Sequence, residues 1–167
     1  MYVNTQDKIK NLNEFLSTNS QIIKGERLSD LSMANIDLVD RALYERTADV
    51  RWWATDHSLF NALINRSEEN TSFLSQRLQT ILQYYTVYED LLVYDNEGNF
   101  ISNASDTKIL ENNVADSQWF TNVKGTVNGK NYGFDVITIN QNDRDEKHLV
   151  FSCKIHNNGN TAQGHVG

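Results

Sequence analysis

The sequence contains no proline and a single cysteine, Cys153, among its 167 residues. Because proline is the residue that most strongly breaks a helix, its absence favours long uninterrupted helices. One cysteine excludes an internal disulfide and every metal site built on a pair of cysteines, including the covalent attachment of c-type haem. The cysteine content therefore leaves the cellular compartment open.

Long apolar runs and basic clusters are also missing. Apolar stretches are interrupted every few residues by Asp, Asn, Arg or Gln, well short of the roughly 18 apolar residues of a membrane span. The net charge is -7, and residues 86–118 hold one basic and seven acidic side chains. A surface that binds nucleic acid needs a basic stripe, so no nucleic-acid partner is expected. The first four residues do not resemble a signal peptide, which indicates either a cytoplasmic chain or a fragment of a longer protein.

Helical spacing of apolar residues dominates the first half of the chain. Between residues 9 and 53 they recur every three or four positions, which predicts one long helix, with a break near Gly25 as the alternative. Residues 56–65 are predicted to form a short helix capped at its first residue. Residues 74–85 continue the helical spacing after a cluster of capping residues. Residues 1–85 are therefore predicted to be a helical segment.

The apolar spacing then changes to two residues, which is typical of strands. Residues 91–94 and 100–103 are predicted to form a hairpin, with Gly98 supplying a positive φ angle in the turn. A short helix is predicted to begin at Asp116 or Ser117, either of which can cap it, and to end in the flexible stretch from Gly125 to Gly129.

Two further strands are predicted at residues 134–139 and 149–155, joined by a polar loop over residues 140–146. A turn signal at residues 157–160 should introduce another strand, and the chain ends soon after it. Residues 86–167 are therefore predicted to form an antiparallel sheet with a covering helix, and its last strand is expected to be truncated.

Signatures of catalysis and metal binding are missing from the sequence. It contains no nucleophile elbow, no phosphate-binding glycine loop and no paired-histidine zinc helix. Its histidines lie on separate predicted elements, which favours surface or packing roles: His57, His148, His156 and His165. The acidic run 143–146 alternates with Arg144 and lacks the pattern of a calcium loop, so it is interpreted as a solvated turn. An enzyme, a metal site and a cofactor are not expected.

Two groups of aromatic residues are candidates for a role beyond the core. Trp52 and Trp53 point about 100° apart on a helix, so one is expected to face the sheet, and packing of both is the simpler interpretation. The second group is predicted to form a small-molecule site with apolar walls and one anionic end. Its members lie at the start of the predicted short helix and on or beside the predicted sheet: Tyr94, Trp119, Phe120, Tyr132 and Asp135. The alternative is a helix that merely closes the core.

Two segments resemble sensory domains of bacterial methyl-accepting chemotaxis proteins and related transmembrane signalling proteins. They are residues 45–56, ERTADVRWWATD, and residues 76–88, QRLQTILQYYTVY. The order of long helix, short helices, hairpin, Trp-Phe helix and further strands also resembles the extracytoplasmic Cache domain, a PAS-like sensor module. The resemblance covers nearly the whole chain.

The resemblance implies an α+β domain in which long N-terminal helices pack on one antiparallel PAS-like sheet. It implies a periplasmic sensory domain of a chemotaxis receptor, anchored by membrane spans on both sides. We expect such a domain to bind a small molecule, to form a parallel homodimer and not to be an enzyme. Ala115 and Ser117 stand where amino-acid-binding members have Tyr and Arg, so Asp135 instead favours a cationic or hydroxyl-bearing ligand.

Three alternatives stay open. The first is a helical dimerisation or scaffold domain without a ligand, because the long apolar stripe suits that role equally well. It would also fit the sensor domain of a histidine kinase or a diguanylate cyclase. A cytoplasmic PAS domain that binds a cofactor is the third alternative.

Overall fold

The computed structural model describes residues 2–105, 110–126, 131–141, 144–157 and 160–166. The chain divides into two compact units, Met1–Tyr44 and Glu45–Gly167. The predicted turn residues 142, 143, 158 and 159, most of the stretch after Gly125 and the side chain of His165 lie outside the described residues.

Helices occupy the first half of the described chain, with α1 at Tyr2–Trp53, α2 at His57–Ile64 and α3 at Glu68–Tyr84. Asp56 caps α2 by accepting a hydrogen bond from Ser58 N at 2.8 Å. Ser67 caps α3 by accepting one from Asn70 N at 3.1 Å. Such caps satisfy backbone N–H groups that have no partner inside a helix, so both helices begin where the sequence predicted.

α1 runs through Gly25 without interruption, so the alternative of a broken helix is wrong. Glycine costs about 1 kcal/mol relative to alanine in a helix, but it keeps the N–H that makes the helical hydrogen bond. Proline would remove that N–H, and the sequence has none.

The second half forms a five-stranded antiparallel sheet in the order β2-β1-β5-β4-β3. Its strands are β1 Leu92–Asp95, β2 Phe100–Asn103, β3 Gly133–Gln141, β4 Arg144–Asn157 and β5 Asn160–Val166. The predicted β1–β2 hairpin is confirmed, with φ of Gly98 at 82°. The strand expected after the 157–160 turn is β5, which pairs with both β4 and β1. The α+β class with one antiparallel sheet is confirmed.

The predicted loop at 140–146 is wrong, because β3 and β4 extend to the pair Gln141 and Arg144. The ends of these strands are exposed and polar, so the apolar spacing that identifies a strand is missing there. A cross-strand hydrogen bond supports the pairing instead, from Asn140 Nδ2 to Asp145 Oδ1 at 2.9 Å.

The sheet is covered on both faces around β1, whose four residues are all buried. Alternate strand residues point to opposite faces, so Leu92 and Tyr94 share one face and Val93 points to the other. Leu92 and Tyr94 contact residues of α4, a short helix at Gln118–Lys124 that packs on β3 and β4. Ser117 occupies the N-cap position of α4, as one of the two predicted caps, but its side chain makes no capping hydrogen bond.

Candidate functional site

Three of the five predicted site residues come together in one buried cluster. We call Leu92, Tyr94, Val114, Trp119 and Phe120 the aromatic cluster. The ring centroids of Tyr94 and Trp119 lie 5.8 Å apart, and those of Trp119 and Phe120 lie 6.0 Å apart, both edge to face. All three rings are at most 2% exposed. The cluster therefore contributes to the core as well as to any site beside it.

Tyr94 carries the polar atom of this cluster. Its hydroxyl donates a hydrogen bond to Glu111 O at 3.2 Å. Burial, with the nearby carboxylates of Asp90 and Glu111, raises the pKa of Tyr94 well above its ordinary value. Tyr94 therefore stays a neutral hydrogen-bond donor over the whole physiological pH range.

The start of α4 contacts the sheet at Gly133 and Ser152, which pair across β3 and β4. Ser152 Oγ donates a hydrogen bond to Trp119 O at 2.9 Å. Gly133 lies so close to Trp119 O and Ser152 Oγ that a Cβ atom at this position would overlap both. This close approach fixes Trp119 over the sheet.

Tyr132 and Asp135 stand apart from the aromatic cluster. Tyr132 is 45% exposed, and the guanidinium of Arg51 lies 6.0 Å from the centroid of its ring. Asp135 is half-buried and pairs with Val150 across β3 and β4. In the described part of the chain its carboxylate accepts a hydrogen bond from Val136 N at 2.8 Å. Asp135 shares its strand face with Ile137, which packs against the aromatic cluster.

A groove of about 340 Å³ lies beside the aromatic cluster, between the segment that enters β1 and the first half of β4. We call it the β1–β4 groove. Leu92 belongs to both features, and Leu110, Ile137 and Val150 line the groove while packing against the cluster. Its other lining residues are Val50, Trp53, Val87, Tyr88, Glu89, Asp90, Ile139, Lys147, His148, Leu149 and Phe151.

One hydrogen-bonded pair joins the two walls of the groove. His148 Nδ1 lies 2.8 Å from Glu89 Oε2, and the side chain of Glu89 is 64% exposed. His148 Nε2 is buried and has no hydrogen-bond partner among the described residues. Sequence patterns gave no signal for this pair, because its members lie far apart in the chain on elements whose register only the fold sets.

Trp53 lines the groove and is 2% exposed. Its ring meets the rings of Tyr85 and Tyr88 edge to face, at 5.1 and 4.9 Å. Tyr88 OH donates to Asp49 Oδ2 at 2.7 Å, and burial followed by this hydrogen bond raises the pKa of Tyr88. The packing interpretation is confirmed for Trp53, but Trp52 is 62% exposed, so its predicted packing contact is wrong.

The described side chains include no group of three or more His, Cys, Asp or Glu arranged to hold a metal ion. Within the described ranges, each helix is too short or too polar to cross a bilayer. Cys153 is fully buried on β4, and burial raises the pKa of its thiol to about 11, so the thiol is unreactive at neutral pH.

No protein-family model matches the sequence, and no curated protein matches it. Among solved structures, the chain is similar to the sensor domain of the histidine kinase DctB from V. cholerae, with a TM-score of 0.59 and 12% identity. The two chains share a fold. The match covers 77% of this chain and 48% of the DctB chain. The predicted likeness to sensor domains is thereby confirmed at the level of the fold.

A second similar structure is the ligand-binding domain of the Pseudomonas fluorescens chemoreceptor CtaA in complex with L-serine. The TM-score is 0.43 at 15% identity, and the match covers 78% of this chain and 59% of that chain. The chain thus spans about half the length of the two solved structures that it matches.

Proposed function

We propose that the chain is an extracytoplasmic sensory domain that binds a small molecule and belongs to a chemotaxis receptor. The observation that carries the proposal is the fold shared with the DctB sensor domain. The sequence segments that resemble chemotaxis-receptor sensory domains support the receptor over a kinase, and the fold itself suits both equally. In this proposal the parent protein is anchored in the inner membrane, and the domain has no catalytic activity.

We further propose that the ligand lies on the sheet face that carries the aromatic cluster. Trp119, Phe120 and Tyr94 form the apolar base there, and Tyr132 and Asp135 belong to the edge of the site. Asp135 supports this assignment because the hydrogen bond that its half-buried carboxylate accepts comes from the next residue in the chain, so most of its acceptor capacity is available. A carboxylate favours a cationic or hydroxyl-bearing ligand.

Asp135→Ala tests the proposed site. We expect the variant to lose the thermal stabilisation that a ligand gives to the parent protein, and to unfold at nearly the same temperature without a ligand. The measurement is a thermal-shift screen of amines, amino acids, organic acids and sugars on both proteins. Asp116→Ala, at an exposed carboxylate in front of α4, is the matched control and should respond like the parent.

A structural role for Asp135 gives the opposite pattern. An ion pair with Lys154 or with Lys130 would be one such role. In the described part of the chain Asp135 makes no ion pair with Lys154, whose Nζ donates to Lys124 O at 3.1 Å. Lys130, the other candidate, lies outside the described residues. A large drop in the melting temperature of unliganded Asp135→Ala, with an unchanged response to the ligand, would contradict the assignment.

A dimerisation or scaffold domain without a ligand is the second candidate function. It is favoured by a set of large apolar residues of α1 within Met1–Tyr44 that are more than half exposed. They are Ile9, Leu12, Phe15, Leu16, Ile22, Ile23, Leu28, Leu31, Met33, Ile36, Leu38 and Val39. A screen in which no small molecule stabilises the parent protein would favour this function.

A further inference from the structure

Asp135 and His148 lie on the face of the sheet that carries the aromatic cluster, at opposite corners of a square of four side chains. Asp135 pairs with Val150 across β3 and β4, and Ile137 pairs with His148. Alternate residues of a strand share a face, so all four side chains point to the same side. Val150 and Ile137, the other two corners, pack against the aromatic cluster. The two polar corners are therefore diagonal neighbours beside apolar side chains, about 7–8 Å apart.

His148 carries a ring nitrogen that the fold does not use. Its side chain is 13% exposed and is one of those that line the β1–β4 groove. Nε2 is buried and has no hydrogen-bond partner among the described residues. Buried polar atoms of folded proteins nearly always have a partner, so an atom without one needs an explanation. A ligand that reaches this corner of the square would supply the missing hydrogen bond.

The contact with Glu89 determines what Nε2 offers to such a ligand. His148 Nδ1 lies 2.8 Å from Glu89 Oε2, and an ionised carboxylate can only accept hydrogen bonds, so Nδ1 carries a proton and donates it. The neutral imidazole then keeps its lone pair on Nε2. Both polar corners of the square are therefore hydrogen-bond acceptors, one charged at Asp135 and one uncharged at His148.

Two acceptors at this spacing select a ligand by its donors. Hydrogen bonds between a carboxylate and a cation are the stronger ones, so an ammonium group suits Asp135. A hydroxyl group is a donor that suits the uncharged lone pair of His148 Nε2. A compound with an ammonium at one end and a carboxylate at the other would set its carboxylate against that lone pair. This arrangement disfavours amino acids of the same length.

We propose that His148 is a specificity-determining residue of the ligand site and that the ligand is an amino alcohol. The ammonium group binds the carboxylate of Asp135, the hydroxyl donates to Nε2 of His148, and the methylene groups between them cover Ile137 and Val150. This inference rests on the proposed function, because it adds a second polar contact to the same site.

A series of five-carbon compounds tests the ligand class by isothermal titration calorimetry on the parent protein. The compounds are 5-amino-1-pentanol, pentylamine, 1,5-pentanediol and 5-aminopentanoate. We expect the amino alcohol to bind about tenfold more tightly than pentylamine, which lacks the hydroxyl and leaves Nε2 of His148 without a partner. The diol and the amino acid should also bind more weakly than the amino alcohol, because the first lacks the cation and the second replaces the hydroxyl donor with an acceptor.

His148→Phe removes Nε2 and keeps an aromatic ring. We expect this variant to bind the amino alcohol no more tightly than pentylamine and to keep the affinity of the parent for pentylamine. His57→Phe makes the same change at an exposed position of α2, is the matched control and should keep the preference for the amino alcohol. His148→Gln retains an acceptor oxygen and should restore part of the preference. Thermal denaturation verifies that each variant is folded.

Equal affinities of the parent protein for the amino alcohol and pentylamine would overturn the proposal, and this comparison needs no variant. An unchanged preference in His148→Phe would overturn it as well. In both cases the amines still bind, so the site at Asp135 stands and only the role of His148 fails. Failure of all four compounds to bind would also overturn the proposed ligand class, and the wider thermal-shift screen then decides whether the domain binds any small molecule.

Discussion

At the scale of single residues, Asp95 shows how one carboxylate organises the hairpin beside the aromatic cluster. Its side chain is 5% exposed. Asp95 Oδ1 accepts hydrogen bonds from Asn99 N at 2.8 Å and Glu97 N at 3.0 Å, and Oδ2 accepts from Arg66 Nη1 and Asn99 Nδ2, both at 3.2 Å. Burial by itself raises the pKa of Asp95, but the hydrogen bonds outweigh burial and the pKa is lowered.

The lowered pKa gives a prediction for stability against pH. A carboxyl group with a lower pKa in the folded state stabilises the fold above its unfolded value of 3.8, and this stabilisation is lost as the pH falls through the folded value. We expect Asp95→Asn to reduce the free energy of unfolding by about 1–3 kcal/mol near pH 7. The difference from the parent should shrink below pH 3.8, as measured by urea denaturation at both pH values.

Asp116→Asn is the control for this prediction, because Asp116 is exposed. Its unfolding free energy should equal that of the parent at both pH values. A constant difference between Asp95→Asn and the parent across the pH range would contradict the charge-based explanation.

At the scale of secondary structure elements, the position of α4 depends on the close contact with β3 and β4. This contact positions Trp119, which is a member of the aromatic cluster and of the proposed ligand site. Sequence patterns predicted the helix itself, but they did not indicate that Gly133 is needed for its approach. Glycine at the start of a strand is common, and only the packing of α4 shows why it is required here.

Gly133→Ala tests this contact. The added Cβ would overlap the backbone oxygen of Trp119, so α4 must move away from the sheet. We expect the free energy of unfolding to fall by about 1–3 kcal/mol, the usual cost of overpacking a tight contact. Thermal and urea denaturation measure the loss, and tryptophan fluorescence reports any displacement of Trp119.

The chain supplies a matched control in Gly125, the C-cap residue of α4. A Cβ added there meets no atom within 4 Å, and its φ angle of -83° suits any residue. Gly125→Ala should therefore be neutral or slightly stabilising. Equal stabilities of the two variants would show that the contact at Gly133 relaxes without cost.

At the scale of the whole molecule, the two units differ in how they bury apolar residues. The unit Glu45–Gly167 contains the buried core, whereas most of the described large apolar side chains of Met1–Tyr44 are exposed along α1. Exposed apolar surface of this extent is typical of an interaction site. This surface supports the proposed parallel homodimer, in which a second copy of the helix covers the apolar residues.

Leu12→Glu combined with Leu16→Glu tests the homodimer. Both residues are 56% exposed, so placing charges there should weaken association and leave the fold of a single chain intact. We expect sedimentation equilibrium to show a dimer that weakens by about tenfold or more, since apolar area is lost and like charges face each other. The control is Asn11→Glu with Asn13→Glu, which adds the same charge beside Leu12 without removing an apolar side chain. A parent chain that is strictly monomeric at millimolar concentration would contradict the proposal.

The sequence by itself determined the class of this protein and most of its elements, but not the ends of β3 and β4. Helical spacing and the caps Asp56 and Ser67 are local signals, because they act between residues a few positions apart, and so the helices and the hairpin at Gly98 were predictable. Tertiary structure alone decided that Glu89 meets His148, that Trp119 contacts Gly133 and that a groove lies beside the aromatic cluster. These contacts join residues far apart in the chain. Their geometry depends on strand register and on the approach of helices to the sheet, and neither leaves a periodic pattern in the sequence.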